Sequence, residues 1–181
     1  LAKGMAPTDY ASALKMKLGG ERQAKQMMDA VSAHGRMESL TYNFQTMRFG
    51  DTRAAHSLVK SLDTEAERDK MIETLSLASV THGQDIFDHD VLRVIAAQAG
   101  LPAGRIAAID FDRVRDIEQD ERRASSVANG VPLFIFNDKA YISGAQPVEA
   151  FAAALSQTAI DAPTSLNTGA GASCGIDGCR I

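Results

Sequence analysis

The run Gly130, Val131, Pro132, Leu133, Phe134, Ile135, Phe136 constrains this chain more than any other segment. Large apolar residues in succession do not alternate, so the segment reads as a strand covered on both faces. Asn137 and Asp138 supply the turn, and Lys139, Ala140, Tyr141, Ile142, Ser143 and Gly144 read as a second strand running back beside the first. Two short strands alone make a marginal structure with one long unpaired edge. A buried strand needs a neighbour on each side, and almost nothing else in the chain reads as strand. The sequence therefore predicts a sheet that lacks a member.

At 181 residues the chain is long enough for one good core, or for one domain carrying an insertion. A hydrophobic share of 45% against 23% charged residues is that of an ordinary globular protein. The net charge of −4 argues against a nucleic-acid partner, which needs clustered Lys and Arg. No stretch approaches the roughly 20 apolar residues of a membrane span, so no membrane partner is expected. No basic segment followed by an apolar one opens the chain as a secretory signal would. The first residue is Leu1 and not Met, so a processed or clipped start stands beside a natural one. Both cysteines, Cys174 and Cys179, sit near the other end. A chain with no distributed disulfide framework is expected in the cytoplasm.

Residues 1–129 read as helices, expected to form one helical domain and its connecting helix. Pro7 and Thr8 start the first, which Gly19 and Gly20 stop. Ala24, Met27, Met28 and Val31 recur at helical spacing until Gly35. Met37 to Phe44 is a partly extended connector. Asp51 is a candidate cap for the next helix, and Thr64 with Glu67 makes the capping box of a long helix ending at Gly83. Asp88 caps the run Val91, Leu92, Val94, Ile95, Ala96, which stops at Gly100. A short helix near 104–109 and a highly charged one over 111–129 lead into the strands. Pro147 opens a last helix through Phe151 and Leu155, so residues 130–160 form a hairpin plus helix. From Ala162 the composition turns to Pro, Thr, Ser, Gly and Ala, which predicts a flexible tail over 161–181 that carries Cys-x4-Cys.

Gly-Val-Pro, an apolar strand, a hairpin, Ser143-Gly144-Ala145-Gln146-Pro147 and a helix together resemble the second half of a thioredoxin fold. The chain is similar in particular to the FrnE-like branch of the DsbA family of thiol–disulfide oxidoreductases. Asp51, Thr52, Ala55, His56 and Leu58 resemble that family's Asn-Thr-x-x-Ala-His-x-Leu helix start, with Asp in place of Asn. Gly83, Asp85, Ile86, Asp88, Val91 and Leu92 resemble its Gly-x-Asp-Ile-x-Asp-x-x-Val-Leu segment, and Gly100 with Leu101 follows in place. The likeness spans about residues 51–155, and the earlier helices fit the family's helical insertion. It implies an α/β, thioredoxin-like fold that is mostly helical here, because the first strand–helix–strand unit with its Cys-x-x-Cys pair is absent.

The resemblance also implies roles for particular residues. By itself Pro132 reads as an ordinary proline at the start of a strand. The family pattern reverses that reading: Val131-Pro132 becomes a cis-proline loop lying against the active disulfide and binding an extended substrate. Gly175, Asp177 and Gly178 allow a tight reversal that brings Cys174 and Cys179 within bonding distance. An auxiliary redox pair, as some FrnE-like proteins carry, stands beside an inert tail and a disulfide formed on purification. Two thiolates alone do not fill a metal's shell, so no metal and no other cofactor is expected. His34, His56, His82 and His89 read as hydrogen-bonded structural histidines near helix ends. Met27, Met28, Met37 and Met47 read as core, with an adaptable groove for unfolded peptide as the other option. The mixed charges over 113–123 read as a solvated helix face.

The function expected is that of a thiol–disulfide oxidoreductase or isomerase acting on disulfides of proteins or small thiols. A homodimer, or association with an N-terminal segment, would complete the sheet. Two other readings stand beside it. One is a relative of 2-hydroxychromene-2-carboxylate isomerase and kappa-class glutathione transferases, where a Ser motif and bound glutathione replace the thiols. The other is a non-enzymatic helical binding module that captures a partner strand on its open edge.

Overall fold

The structure, a computed structural model, describes residues 3–127, 131–159, 173–175 and 178–180. Gly130 and the part of the tail over 160–172 lie outside the described residues. The chain divides into two units, Leu1–Ile117 and Glu118–Ile181.

The first unit is helical because its caps and apolar spacings agree with one another. α1 (Tyr10–Leu18) starts where the Asp9 carboxylate accepts from the Ser12 amide at 2.6 Å, and ends at Gly19, whose φ of 74° only glycine adopts freely. α2 (Glu21–Met37) does not stop at Gly35 as its sequence suggests. Gly35 is buried inside the helix, where a Cβ would stand 2.7 Å from the Tyr42 ring. Two residue pairs, β1 (Thr8–Asp9) and β2 (Arg48–Phe49), form a small antiparallel bridge that corrects the all-helical reading of this region.

α3 (Arg53–Lys60), α4 (Glu65–Ser76) and α5 (His89–Gln98) pack on one another around Leu58, Met71, Leu92 and Ile95, each completely buried. Burying side chains of this size contributes about 1.5–3 kcal/mol each. The capping box that opens α4 is present in full: Glu67 N donates to Thr64 Oγ1, and Thr64 N donates to Glu67 Oε2, both at 3.2 Å. Asp88 caps α5 by accepting from the Asp90 and Val91 amides. Between α4 and α5 the chain widens into a π-helical turn, Leu77–Thr81. Its Val80 carbonyl accepts from the Asn43 amide at 2.9 Å, which ties the 41–47 connector to the bundle. α6 (Ala103–Ala107) closes the unit, and α7 (Val114–Val127) begins there and continues into the second.

The second unit holds β3 (Leu133–Phe136), β4 (Ala140–Ser143) and α8 (Val148–Ala159). Asn137 and Asp138 both have positive φ, 50° and 56°, and Lys139 N donates to Phe136 O at 2.9 Å, the geometry of a type I′ turn. The register sets Phe134 opposite Ile142 and Phe136 opposite Ala140. That face meets Phe151 of α8, with ring centroids at 4.9 Å from Phe134 and 6.5 Å from Phe136. Ile135, on the other face, borders a groove shared with Asp120, Arg123 and Ala124 of α7. The expectation of a strand buried on both faces is not met within the chain. Both faces have a helix, yet Phe134 and Ile135 remain 40% and 41% exposed, because β3 is paired on one side only.

In the tail, β5 (Ser173–Gly175) and β6 (Gly178–Arg180) form an antiparallel pair that sets Cys174 opposite Cys179. The side chains of both lie outside the described residues.

Candidate functional site

β3 and the loop before it carry the features that sequence reasoning assigned to a substrate site. The Val131–Pro132 peptide bond is cis, as the resemblance implied. Pro132 is exposed, and Val131 is 72% exposed, far more than a valine anchored in a core. The Pro132 carbonyl accepts from Gly144 N at 2.9 Å, which fastens the loop to the end of β4. The loop thus presents apolar side chains to solvent from a fixed backbone. Directly after it, β3 offers an edge with no strand beside it among the described residues. Exposed strand edges in general are able to pair with an extended segment through main-chain hydrogen bonds, and Val131, Phe134 and Ile135 stand exposed along this one.

At the far end of the hairpin lies an open groove of about 340 Å³, bordered by Asp120, Arg123, Ile135, Asn137 and Asp138. Arg123 ion-pairs with Asp138 across it. The pair fixes the turn against α7 and is remote from Pro132, since the two occupy opposite ends of β3.

His34, His56 and His89 have structural roles. His56 Nδ1 lies 2.7 Å from the Thr52 carbonyl and His34 Nδ1 2.9 Å from that of Ala30, each bonding one turn back along its helix. His89 stacks on Phe111, with centroids 4.6 Å apart, and Arg93 adds its guanidinium to the same ring at 5.2 Å. Met27, Met28 and Met47 line a small cavity of about 70 Å³ with Tyr10, Tyr42 and Phe44, whereas Met37 stands apart and 80% exposed. Burial pushes the Tyr10 hydroxyl pKa up, and the neighbouring Tyr42 adds to this.

Three carboxylates of the first unit are held ionised by their surroundings. Arg53 beside Asp51 keeps its carboxyl well below the usual range, helped by the Gly4 amide at 2.7 Å. Arg105 lowers Glu67 to about 2, with the Thr64 amide assisting. The Val91 and Asp90 amides lower Asp88. These are caps and anchors of the first unit's helices. Asp51 and Asp88 belong to the segments that carry the family resemblance. Asp88 caps α5 as expected, whereas the N-cap of α3 is Thr52, and Asp51 one residue earlier accepts instead from the Arg53 amide and guanidinium. Among the described residues no cluster of His, Cys, Asp and Glu is arranged to hold a metal ion. No helix among them is long and apolar enough to cross a membrane.

Sequence reasoning reached Val131 and Pro132 but expected β3 to be buried, and so missed the exposure of Phe134 and Ile135. The signal was present in the same four residues, since an apolar run with one partner strand must leave apolar surface open. Cys174 and Cys179 enter the site as backbone register alone.

Comparison with known proteins agrees with this geometry. A family model described as the DSBA-like thioredoxin domain matches residues 3–156. Among solved structures, the chain is similar to a probable DsbA oxidoreductase from Streptomyces coelicolor, with 28% identity and a TM-score of 0.78. The likeness covers 98% of this chain and 80% of that one. No curated protein matches the chain.

Proposed function

The chain belongs to the DSBA-like thioredoxin domain family, and we propose that it serves a thiol–disulfide oxidoreductase of the FrnE-like branch. Its fold is the thioredoxin-like one with a helical insertion, and the family's chemistry is exchange between a protein dithiol and a substrate disulfide. In that exchange one thiolate attacks a substrate sulfur, forming a mixed disulfide and releasing the other sulfur as a thiolate. A second protein thiolate then attacks the mixed disulfide, freeing the substrate's remaining thiol and leaving a protein disulfide. Two electrons pass from protein to substrate, and the reverse sequence oxidises a dithiol.

The observation that carries the proposal is the one-sided pairing of β3, with Phe134 and Ile135 left open beside the Val131–Pro132 loop. Cysteine occurs in these residues only at 174 and 179, so the main thiol pair comes from a strand–helix unit that joins the sheet at that edge. Val131 and Pro132 hold the extended substrate, which is a disulfide of a protein or a small thiol. Cys174 and Cys179, opposite each other in register, form an auxiliary redox pair. Directly opposed residues of an antiparallel pair lie about 4.5–5.5 Å apart at Cα, within the range a disulfide spans. The cytoplasm is the compartment proposed, from the absence of a distributed cysteine framework in the sequence.

Insulin reduction with dithiothreitol as electron donor tests the reading. The product of the complete coding region is expected to be active and the 181-residue chain to match the uncatalysed rate. Background activity from both proteins would contradict the proposal. Thiol titration across a glutathione redox series tests the auxiliary pair: Cys174 and Cys179 should oxidise together. Thiols that stay unchanged at every potential would remove that role.

A further inference from the structure

The methionines of the first unit, Met5 aside, occupy three settings. Met16 and Met37 are 72% and 80% exposed, and Met71 is completely buried in the helical core. Met27, Met28 and Met47 line one small cavity where α1, α2 and the 41–47 connector meet. Met27, Met28 and Val31 turn one face of α2 towards it. Opposite them stands a row of rings, with Phe44 between Tyr10 and Tyr42 at centroid distances of 5.6 and 5.7 Å. Met47 is fixed by its backbone: its carbonyl accepts from the Tyr10 amide at 3.1 Å, and its amide donates to the Asn43 carbonyl at 3.0 Å. It ties the start of α1 to the connector, and the two methionines of α2 close the cavity from the other side. None of the lining side chains carries a charge.

Met47 and Met71 make the informative pair. Both are buried, at 8% and 0% exposure, yet only Met47 borders this space of about 70 Å³. One water needs roughly 10–15 Å³ of such space. Hydrogen peroxide, with two oxygen atoms, therefore has room beside Met47. Met27, Met28 and Tyr42 are only half-buried, so the cavity communicates with solvent. Thioethers pack well against rings because they are soft and apolar. A sulfoxide is polar, and it disrupts clusters of this kind. Its oxygen would sit among rings and apolar side chains, away from the water that solvates it outside.

We propose that Met27, Met28 and Met47 form a peroxide-sensitive latch, whose oxidation to sulfoxides loosens α1 and the connector from α2. In each step the thioether sulfur attacks one peroxide oxygen. The O–O bond breaks, a sulfur–oxygen bond forms, and the second oxygen leaves as water with both peroxide protons. The sulfur loses two electrons and the peroxide gains them. No cysteine takes part, so the latch is independent of the thiol–disulfide reading.

Peptide mapping by mass spectrometry tests the entry of peroxide. In the 181-residue chain treated with hydrogen peroxide, Met16 and Met37 should convert first, then Met27 and Met28. Met47 should follow at least about tenfold faster than Met71. Equal rates at Met47 and Met71 would mean that peroxide reaches both only through unfolding, and would overturn the proposal. Thermal melting by circular dichroism tests the latch in an M16L/M37L background, a swap that nearly conserves volume. Oxidation there should lower the melting temperature by about 5 °C or more. Adding M47L should shrink the shift, and adding M27L and M28L as well should abolish it. An unmoved melt in the M16L/M37L chain, with the three cavity methionines oxidised, would overturn the latch. So would a shift that M47L leaves undiminished, and this arm stands even if the chain with all five substitutions fails to fold.

Discussion

The two units answer the same demand, burial of apolar residues, to very different degrees. In the first, Leu58, Met71, Leu92 and Ile95 are completely closed off by helices drawn from within the unit. In the second, a two-strand hairpin has a helix on each face and still leaves Phe134, Ile135, Val148 and Leu155 exposed. The amount of apolar sequence does not explain the contrast, since all four residues of β3 are large and apolar. What the second unit lacks is width. A helix bundle closes by adding helices around an axis, but a sheet closes sideways only when another strand bonds to its edge. The open apolar surface of the second unit lies in one direction, along the hydrogen bonds leaving β3 away from β4.

Substitutions can sharpen or break this contrast. The largest effect is expected for Leu92→Ala, a side chain with no exposure, at about 2–5 kcal/mol in urea unfolding followed by helical circular dichroism. A loss of under about 1 kcal/mol would mean that the first unit is as loosely closed as the second. Thr64→Ala removes half of the capping box and should cost about 0.5–2 kcal/mol in the same measurement.

Acid should then erode the first unit further. Glu67 is lowered to about 2 from an ordinary 4.5, chiefly by Arg105, and Asp51 is lowered chiefly by Arg53. A group bound more tightly as its anion stabilises the fold fully above its unfolded pKa and loses that contribution as pH falls through the folded one. Helical signal should therefore become easier to melt as pH drops from 4.5 towards 2. Solvent exposure keeps the effect modest. Glu67→Gln should flatten the dependence, and an unchanged slope would remove the Arg105 pairing from the account. Val148→Ala should have the smallest effect, within about 0.5 kcal/mol in the 181-residue chain, because its side chain touches mainly water.

Features that depend on neighbours in sequence were legible from the residues alone. Thr64 and Glu67 announce their capping box at a spacing of three, and Asp88 sits directly before the helix it caps. The Asn137–Asp138 turn likewise needs only two residues that tolerate positive φ. Features decided across the chain were not legible. Gly35 reads as a helix stop, yet it lies inside α2, and its missing side chain leaves the space that the Tyr42 ring occupies. The β1–β2 bridge joins residues 8–9 to 48–49, and two-residue strands carry no periodicity to read. The ion pairs of Arg105 with Asp63 and Glu67 bring distant segments together, with nothing in local spacing to announce them. At the candidate site the strand itself was legible in the sequence, and its exposure was not. An apolar run tells that a strand favours burial, and says nothing of how many strands pair beside it.

β3 is proposed here as a strand built for the interior of a sheet that stands at an edge. Residue-resolved amide hydrogen exchange by NMR, on the 181-residue chain, decides this. Alternate amides of Leu133–Phe136, those directed away from β4, should exchange at nearly unprotected rates while those of Leu92 and Ile95 exchange slowest. Uniform protection of all four β3 amides, comparable to that of α5, would contradict it.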